Sequence, residues 1–403
     1  MKIACVGGGP SGLYVAILAK LRDPGHEVTV IERNPAGVTH GWGVVFGEDF
    51  LDQLFANDPV SARDIRAITS MWNDQHIRIA DRPTAHMGGY GFSVGRKRLL
   101  DILAARARGL GVDVRFEQEF RDLSEVADAD LVVAGDGVNS RLRQQFAEHF
   151  QPTLDAGRNK YIWLGTHKVF NAFTFAFEQT PAGWIWFHAY RFSPDTSTCI
   201  VECAPETWKE LGFDELGPDE STRLLEDIFR RHLDGHSLIN QMAGLGKTPW
   251  LNFTRVSNQV WFHDNVVLVG DSAHTTHFSI GSGTRLAIED AIALADSVHA
   301  RPDLHSALEA YQDERRAAVR IRQTEADNST RWFEEVDRYI GADPVRFTYS
   351  MWERRLGPPA EQGAARSPRW RYQLHLATQN AALRGVRQGA GSVRRTLRER
   401  RRR

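Results

Sequence analysis

Cysteine is scarce in this chain: 403 residues hold three, Cys5, Cys199 and Cys203. Three thiols cannot build a disulfide framework, and their spacing matches no zinc motif, so no metal site is expected. Cys199 and Cys203 stand four apart in a β-like run and share a face. Buried, reduced thiols in a cytoplasmic protein are the expectation. Long apolar runs are missing too. The N-terminal stretch is cut by Gly7 to Gly12 and followed by Lys20, Arg22 and Asp23, so it is not a signal peptide. Nothing reaches the roughly 20 apolar residues of a membrane helix. Charge of one sign is absent overall. A net charge of -1 gives no strong field for nucleic acid, and no basic face interleaved with aromatics is seen. That neutrality conceals an asymmetry. The last 20 residues, from Arg384, carry nine Arg and one Glu, so the rest is clearly acidic. The tail from Arg394 to Arg403 reads either as a disordered solubilising segment or as a grip for an acidic group. There is no internal repeat.

What is present begins at residue 1. A short apolar run, Ile3 to Val6, meets Gly7-x-Gly9-x-x-Gly12, and the apolar stretch Leu13 to Leu21 follows. This is the strand–turn–helix opening of a dinucleotide-binding βαβ unit. Gly7 permits the tight turn, Gly9 lets backbone approach a pyrophosphate, and Gly12 lets helix and strand pack closely. The helix start, Pro10 and Ser11, turns free N–H groups toward phosphate. The second strand, Glu27 to Ile31, ends in Glu32 and Arg33, and the Glu32 carboxylate can accept from a ribose diol.

Further along, Arg96 to Gly109 reads as a helix, and Val112 to Glu117 and Asp130 to Ala134 as strands. Residues 34–50 form a Gly-rich loop, and 68–94 a sheet excursion. Between 158 and 204 the chain turns aromatic and β-branched. Tyr161 to Leu164, Phe173 to Phe177, Trp184 to Phe192 and Ser197 to Cys203 read as antiparallel strands. A helix is expected near Pro218 to Leu233, a parallel-type strand within Val260 to Gly270, and helices over 283–298 and 304–338. The fold class is α/β: a Rossmann-like dinucleotide-binding domain, an inserted antiparallel-sheet substrate domain, and a C-terminal helical segment. The dinucleotide-binding domain takes 1–67, 95–156 and 260–335. The substrate domain takes 68–94 and 157–259, and the helical segment takes 336–403. A ligand pocket is expected at their junction.

Two further elements specify FAD. Asp136-Gly137-Val138-Asn139-Ser140-Arg141-Leu142-Arg143 directly follows one strand. Gly270-Asp271-Ser272-Ala273-His274 directly follows another and continues through Gly281-Ser282-Gly283 into a helix. A carboxylate at a strand end can hold a ribose or ribityl hydroxyl. The Gly281–Gly283 turn opens a helix whose dipole stabilises negative charge, in a flavin that of the reduced ring's N1–C2=O region. Gly9 would then hold the pyrophosphate, Glu32 the adenosine ribose and Asp271 the ribityl side.

With these three elements in order, residues 1–340 resemble the class A, para-hydroxybenzoate-hydroxylase-like FAD aromatic monooxygenases, which implies that the dinucleotide-binding domain is a Rossmann-like FAD-binding domain of the glutathione-reductase type. The family's Arg-x-x-Leu-x-x-x-Leu is matched by Arg96, Leu99 and Leu103, implying that Arg96 contacts FAD. Its Asp-Gly element implies roles for Asp136 and Arg143 toward FAD and the nicotinamide. One departure stands out: Phe278 occupies the position, four residues after His274, where the family usually has proline. Gly157 to Thr166, His277 to Thr284 and Ala326 to Ser329 look like two relatives: the salicylyl-CoA 5-hydroxylase and anthraniloyl-CoA monooxygenase group, and the tryptophan hydroxylase of violacein biosynthesis. Gly41 to Phe46 and Gly281 through Ala291 look closer to the thioester group. The anthraniloyl-CoA enzymes carry an extra C-terminal flavin domain. The chain ends too early for one, so simple hydroxylation is expected.

The resemblance implies bound FAD, NADH or NADPH as co-substrate, and O2 reacting through a flavin C4a-hydroperoxide. The implied reaction takes salicylyl-CoA to gentisyl-CoA. A free aromatic or indole substrate such as tryptophan, or a non-catalytic FAD-binding protein, are the alternatives. The implied cofactor residues are Gly7, Gly9, Pro10, Ser11, Gly12, Glu32, Arg33, Trp42, Arg96, Asp136, Arg143, Asp271, Gly281, Gly283 and Thr284. His277 either meets the substrate hydroxyl or the hydroperoxide, or is satisfied by backbone. His40 and Trp42 lie on a gating loop or a plain connector, with His40 a second catalytic candidate. Phe278, Trp163 and Trp186 are candidates for the substrate wall, although alternating aromatics such as Trp163, Trp184, Trp186 and Phe187 also suit a sheet core. His274 reads as a structural turn contact or a motif residue. Arg158, Lys160 and the Arg-rich tail are either solvated or meet CoA phosphates. The expected partner is a small aromatic molecule in the form of a CoA thioester, with no nucleic acid and no membrane, on a monomer or homodimer.

Overall fold

A computed structural model describes residues 1–39, 41–241, 250–357, 369–386 and 388–389. The strand Lys2–Val6 is buried from Ile3 onward, as a strand covered on both faces must be. It runs parallel between Glu27–Ile31 and Leu131–Ala134. Asp113–Arg115 extends the sheet on one side. Val266–Leu268 and then the antiparallel edge Phe262–His263 extend it on the other. The parallel strands end on one edge, so Gly7, Glu32, Gly135 and Gly270 gather there. That edge is where open α/β sheets bind ligands.

The helix Pro10–Arg22 is buried from Pro10 to Ala19. Its apolar residues go nearly all round because it lies between the sheet and two helices, Arg96–Gly109 and Gly283–Ala300.

A second sheet is built in the order Leu238–Ile239, Pro152–Thr166, Ser197–Cys203, Gly183–Arg191, Phe173–Thr180, Gln75–Ile79, Ala85–His86, with Leu251–Asn258 also pairing with Pro152–Thr166. One pair departs from the expected antiparallel pattern: Phe173–Thr180 runs parallel to Gln75–Ile79, with Phe175 opposite Ile77. The long path between residues 79 and 173 makes that crossover possible. A second departure lies in the presumed loop. Gly43–Phe46 is a strand, paired with Gly91–Gly95, which in turn pairs with Ser70–Trp72. Val44 and Phe46 are buried there, so pairing wins over the flexibility of the flanking glycines.

The second sheet is covered on both faces. Phe187, Cys199, Val201 and Cys203 pack under Leu225, Phe229 and Leu233. Phe175, Phe177 and Trp186 pack under Trp332, Phe333, Phe347 and Met351, from the helices Leu304–Glu334 and Pro344–Glu353. All three cysteines are buried and unbridged. The helix Arg369–Thr378 and the segment after it are tied down near Asp74, which accepts from Gln75 N and Gly88 N and lies 2.7 Å from His86 Nδ1. Asp74, His76 and His86 bring three donor atoms within 4.8 Å of one another, a cluster the sequence did not announce. Arg384 Nε already stands 3.8 Å from that carboxylate. Among the described residues, no helix is long and apolar enough to cross a membrane. The Arg394–Arg403 tail and His40 lie outside the described residues.

Candidate active site

The glycines of the first turn divide into two kinds. Gly7 has φ +106°, and a Cβ there would stand 2.3 Å from Gly135 O. A Cβ on Gly12 would stand 2.1 Å from Gly7 O. Both are dictated by the protein's own packing. A Cβ on Gly9, in contrast, would meet nothing closer than 4.0 Å. Its face opens onto a cavity of about 360 Å³ walled by Gly7 to Gly9, Glu32, Arg33, Arg96, Asp136 and Gly137. Glu32 is fixed on that wall, with Oε2 accepting from Gly8 N (2.7 Å) and Oε1 from Asn34 N and Nδ2. Asp136 Oδ2 accepts from Arg141 N, while its buried Oδ1 has no partner. No side chain caps the helix at Gly9, which leaves first-turn N–H groups for an anion.

A second cavity of about 240 Å³ continues from the first; Gly9, Arg96, Gly135 and Gly137 wall both. On one side stand Pro10, Ser11, Asp271, Gly281, Gly283 and Thr284. On the other stand Trp163, Phe173, His188, Tyr190, Phe253 and Phe278, brought in by the second sheet and its neighbouring loops. The helix Gly283–Ala300 also lacks a side-chain cap and carries no acid in its first turn. A Cβ at Gly137 or Gly283 would meet nothing within 4 Å. Arg96 donates to Thr39 Oγ1 at 3.0 Å. Enclosure by the chain lowers its pKa, and the opposed Asp271 carboxylate works against that. Asp271 is open to the cavity but otherwise surrounded. Burial raises its pKa, and Arg96 and then His274 hold it down.

The Asp271 turn is braced from behind. Asp290 is fully buried and accepts from Gly270 N (2.9 Å), Arg315 Nε (2.8 Å) and His274 Nε2 (2.7 Å). Burial alone would raise its pKa, but His274 and Arg315 outweigh it and hold the carboxyl at about 2. His274 is thus spent on holding the turn. Two uncapped helix starts, three open glycine faces and a carboxylate beside each cavity form a cradle that fits a dinucleotide carrying a flavin.

Several candidates stand elsewhere. Arg143 is 1% exposed and donates to Ser272 O and Val138 O, so it struts the two Gly-Asp turns and faces neither cavity. The Trp42 ring packs on Gly165, whose Cβ would lie 2.7 Å from it; only the Trp42 carbonyl reaches Arg96, accepting from its N–H. Trp186 stacks between Phe177 and Phe333, each 5.9 Å away, in the core. It shares a sheet face with His188 and Tyr190 but lies one pleat beyond the cavity. His277 is turned into a polar chain, His277 Nδ1–Ser279 Oγ–Ser329 Oγ–Arg354 Nε, and is not on the cavity wall. Burial, with Arg354 adding, lowers its pKa to about 3. Arg158 pairs with Glu206, and Lys160 with Asn252 and the Trp208 ring. His188, Phe173, Tyr190 and Phe253 were not singled out from the sequence. The signal for His188 was a lone histidine within the aromatic run Trp184 to Phe192.

The family model described as "FAD binding domain" matches residues 1–325. Salicyloyl-CoA 5-hydroxylase of a Streptomyces species is 40% identical over 368 residues, covering 88% of this chain and 70% of that protein. A 3-hydroxy-4-methyl-anthranilyl-[aryl-carrier protein] 5-monooxygenase of Streptosporangium sibiricum is 35% identical, covering 83% and 89%. The protodeoxyviolaceinate monooxygenase of Chromobacterium violaceum is 33% identical, covering 93% and 100%. Its name is not that of a tryptophan hydroxylase. Among solved structures, 2-methyl-3-hydroxypyridine-5-carboxylic acid oxygenase in its tetrameric form matches with TM-score 0.66 at 17% identity, covering 88% and 95%. The chain belongs to this FAD-binding family. It is an FAD-dependent aromatic monooxygenase, and the reading as a non-catalytic flavin carrier is set aside.

Proposed function

We propose that this monooxygenase hydroxylates an aryl thioester, with salicylyl-CoA as substrate and the gentisyl thioester as product. The observation carrying the proposal is the aromatic cavity that continues directly from the flavin cradle, in a chain 40% identical to a salicyloyl-CoA 5-hydroxylase. A second relative, named for an aryl group on a carrier protein, supports a thioester in place of a free acid. FAD, reduced by NADH or NADPH, supplies the activation of O2 when bound. The chain's residues have other tasks. The Gly9 turn and helix start receive the pyrophosphate, Glu32 the ribose, and Asp271 with Arg96 the ribityl side. The bare Gly283 helix start faces the flavin's negative edge. Trp163, Phe173, Phe253 and Phe278 hold the substrate ring and keep water out. The buried, unbridged thiols fit a reducing, cytoplasmic setting.

The test is turnover by FAD-loaded protein with salicyloyl-CoA, benzoyl-CoA, salicylate and tryptophan, each with NADH and NADPH. The expected result is nicotinamide oxidation stimulated by salicyloyl-CoA and a product one oxygen heavier. Product from free salicylate or tryptophan alone rejects the thioester.

A further inference from the structure

His188 is the one histidine on the wall of the aromatic cavity among the described residues. It is 2% exposed, with its ring 4.7 Å from Phe175, 5.1 Å from Phe333 and 5.7 Å from Phe278. Its Nε2 is buried and has no hydrogen-bond partner. Buried polar atoms in settled cores are paired, so an orphan beside a cavity asks for an explanation.

The nearest acid is Glu202 on the adjacent strand. Trp186 stands opposite Glu202, and His188 opposite Ile200, so Glu202 and His188 are diagonal neighbours on one face. Glu202 Oε2 lies 3.8 Å from His188 Nε2, just beyond a hydrogen bond. Glu202 is 1% exposed and accepts from Asn159 Nδ2 at 2.8 Å and from Trp186 Nε1 at 3.3 Å. Among the described residues no Lys or Arg pairs with it. Burial, with Glu334 adding, pushes its carboxyl up to about 8. The groups acting on His188 are cationic or ionisable: burial first, then Arg354 and His277, hold its pKa well below the ordinary value. An imidazole so placed passes a proton on rather than keeping it, and the carboxyl behind it accepts that proton once it is ionised, on the alkaline side of neutrality.

We propose that His188 is a catalytic residue that binds the ring hydroxyl of the aromatic substrate and takes its proton, with Glu202 as the positioning partner that stores that proton. The proposal rests on the aromatic monooxygenase assignment and not on the thioester. In the step, the substrate O–H bond breaks and its proton joins His188 Nδ1. The Nε2 proton passes to the Glu202 carboxylate. The imidazole stays neutral, and the negative charge moves from Glu202 to the ring oxygen, which enriches the carbon para to it. No electron is gained or lost.

The experiment uses FAD-loaded protein without nicotinamide, so that binding is seen without turnover. Salicyloyl-CoA is the probe, and benzoyl-CoA is the control lacking the hydroxyl. The ultraviolet phenolate band is followed against pH, and affinity is read from the flavin spectrum. In the wild type the phenolate band of the bound probe should appear at mildly alkaline pH. His188→Gln should weaken salicyloyl-CoA by about tenfold or more and leave benzoyl-CoA unchanged. Glu202→Gln should bind the probe but lose the phenolate band at that pH. Retained flavin and an unchanged melting temperature check folding, and the near-isosteric Glu202→Gln carries the test if His188→Gln does not fold. Phenolate titrations identical to wild type, or equal losses for both thioesters, overturn the proposal. If the wild type ignores salicyloyl-CoA, the thioester reading fails by itself. The titration is then run with the hydroxyarene that the enzyme does hydroxylate, where a band independent of His188 overturns the dyad.

Discussion

Two glycines three residues apart should respond to the same substitution in opposite ways. Gly9 precedes the helix with φ -76° and ψ 179°, a conformation alanine adopts freely. Its added Cβ would meet nothing nearer than 4.0 Å. Gly9→Ala should therefore leave the flavin-free fold within about 1 kcal/mol, the helix-start penalty being partly offset by the stiffer unfolded chain. The methyl would instead stand where the pyrophosphate approaches, and FAD affinity should fall by about tenfold or more, since a displaced charge-assisted contact is worth roughly 1.5–3 kcal/mol. Gly12→Ala puts a methyl 2.1 Å from Gly7 O, with the Cys5 side chain 3.9 Å away. A carbon needs more than an ångström beyond that separation, so strand and helix must part. The expected loss is about 1–3 kcal/mol or more before any ligand is added. Urea unfolding of flavin-free protein reads the first quantity, and quenching of FAD fluorescence reads the second. A Gly9→Ala protein that binds FAD as the wild type does, or one destabilised as much as Gly12→Ala, would refute the assignment of the cavity.

Two further outcomes follow from burial. Asp290 has its pKa depressed in the fold from an ordinary 3.8. Its contribution is therefore fully present above that value and is lost as pH falls toward about 2. Asp290→Asn should cost about 3–5 kcal/mol near neutrality by leaving Arg315 partly unpaired, and should flatten the acid limb of the melting curve between pH 4 and 2, two values set by roughly the same shift. An unchanged acid limb counts against the buried brace. Trp186→Ala should cost about 3–5 kcal/mol of stability, while Trp163→Ala should mainly raise KM; equal effects on KM would put both rings on the cavity.

How far the sequence could be read depended on how local each feature is. The glycine turn, Glu32 and the strand before the Asp271 turn were legible because each is a short stretch whose backbone geometry makes the site. Phe278 and Trp163 were named from the sequence too, and both line the aromatic cavity. Trp186 shows the limit. Period-two alternation told which face it shares with His188, but not how far along the strand the cavity extends. His277 shows another: a polar residue in a promising loop is claimed by Ser279 and, through Ser329, by Arg354, 77 positions later in the chain by number.

The sequence by itself determined the flavin half of the protein, because glycines that admit a ligand and carboxylates at strand ends act through their own few neighbours. Only the tertiary structure decided the aromatic cavity beside it. Trp163, Phe173, His188, Phe253 and Phe278 become one wall through strand pairing and loop packing, and the partners that a buried polar group gains or lacks are set by residues far away in the chain.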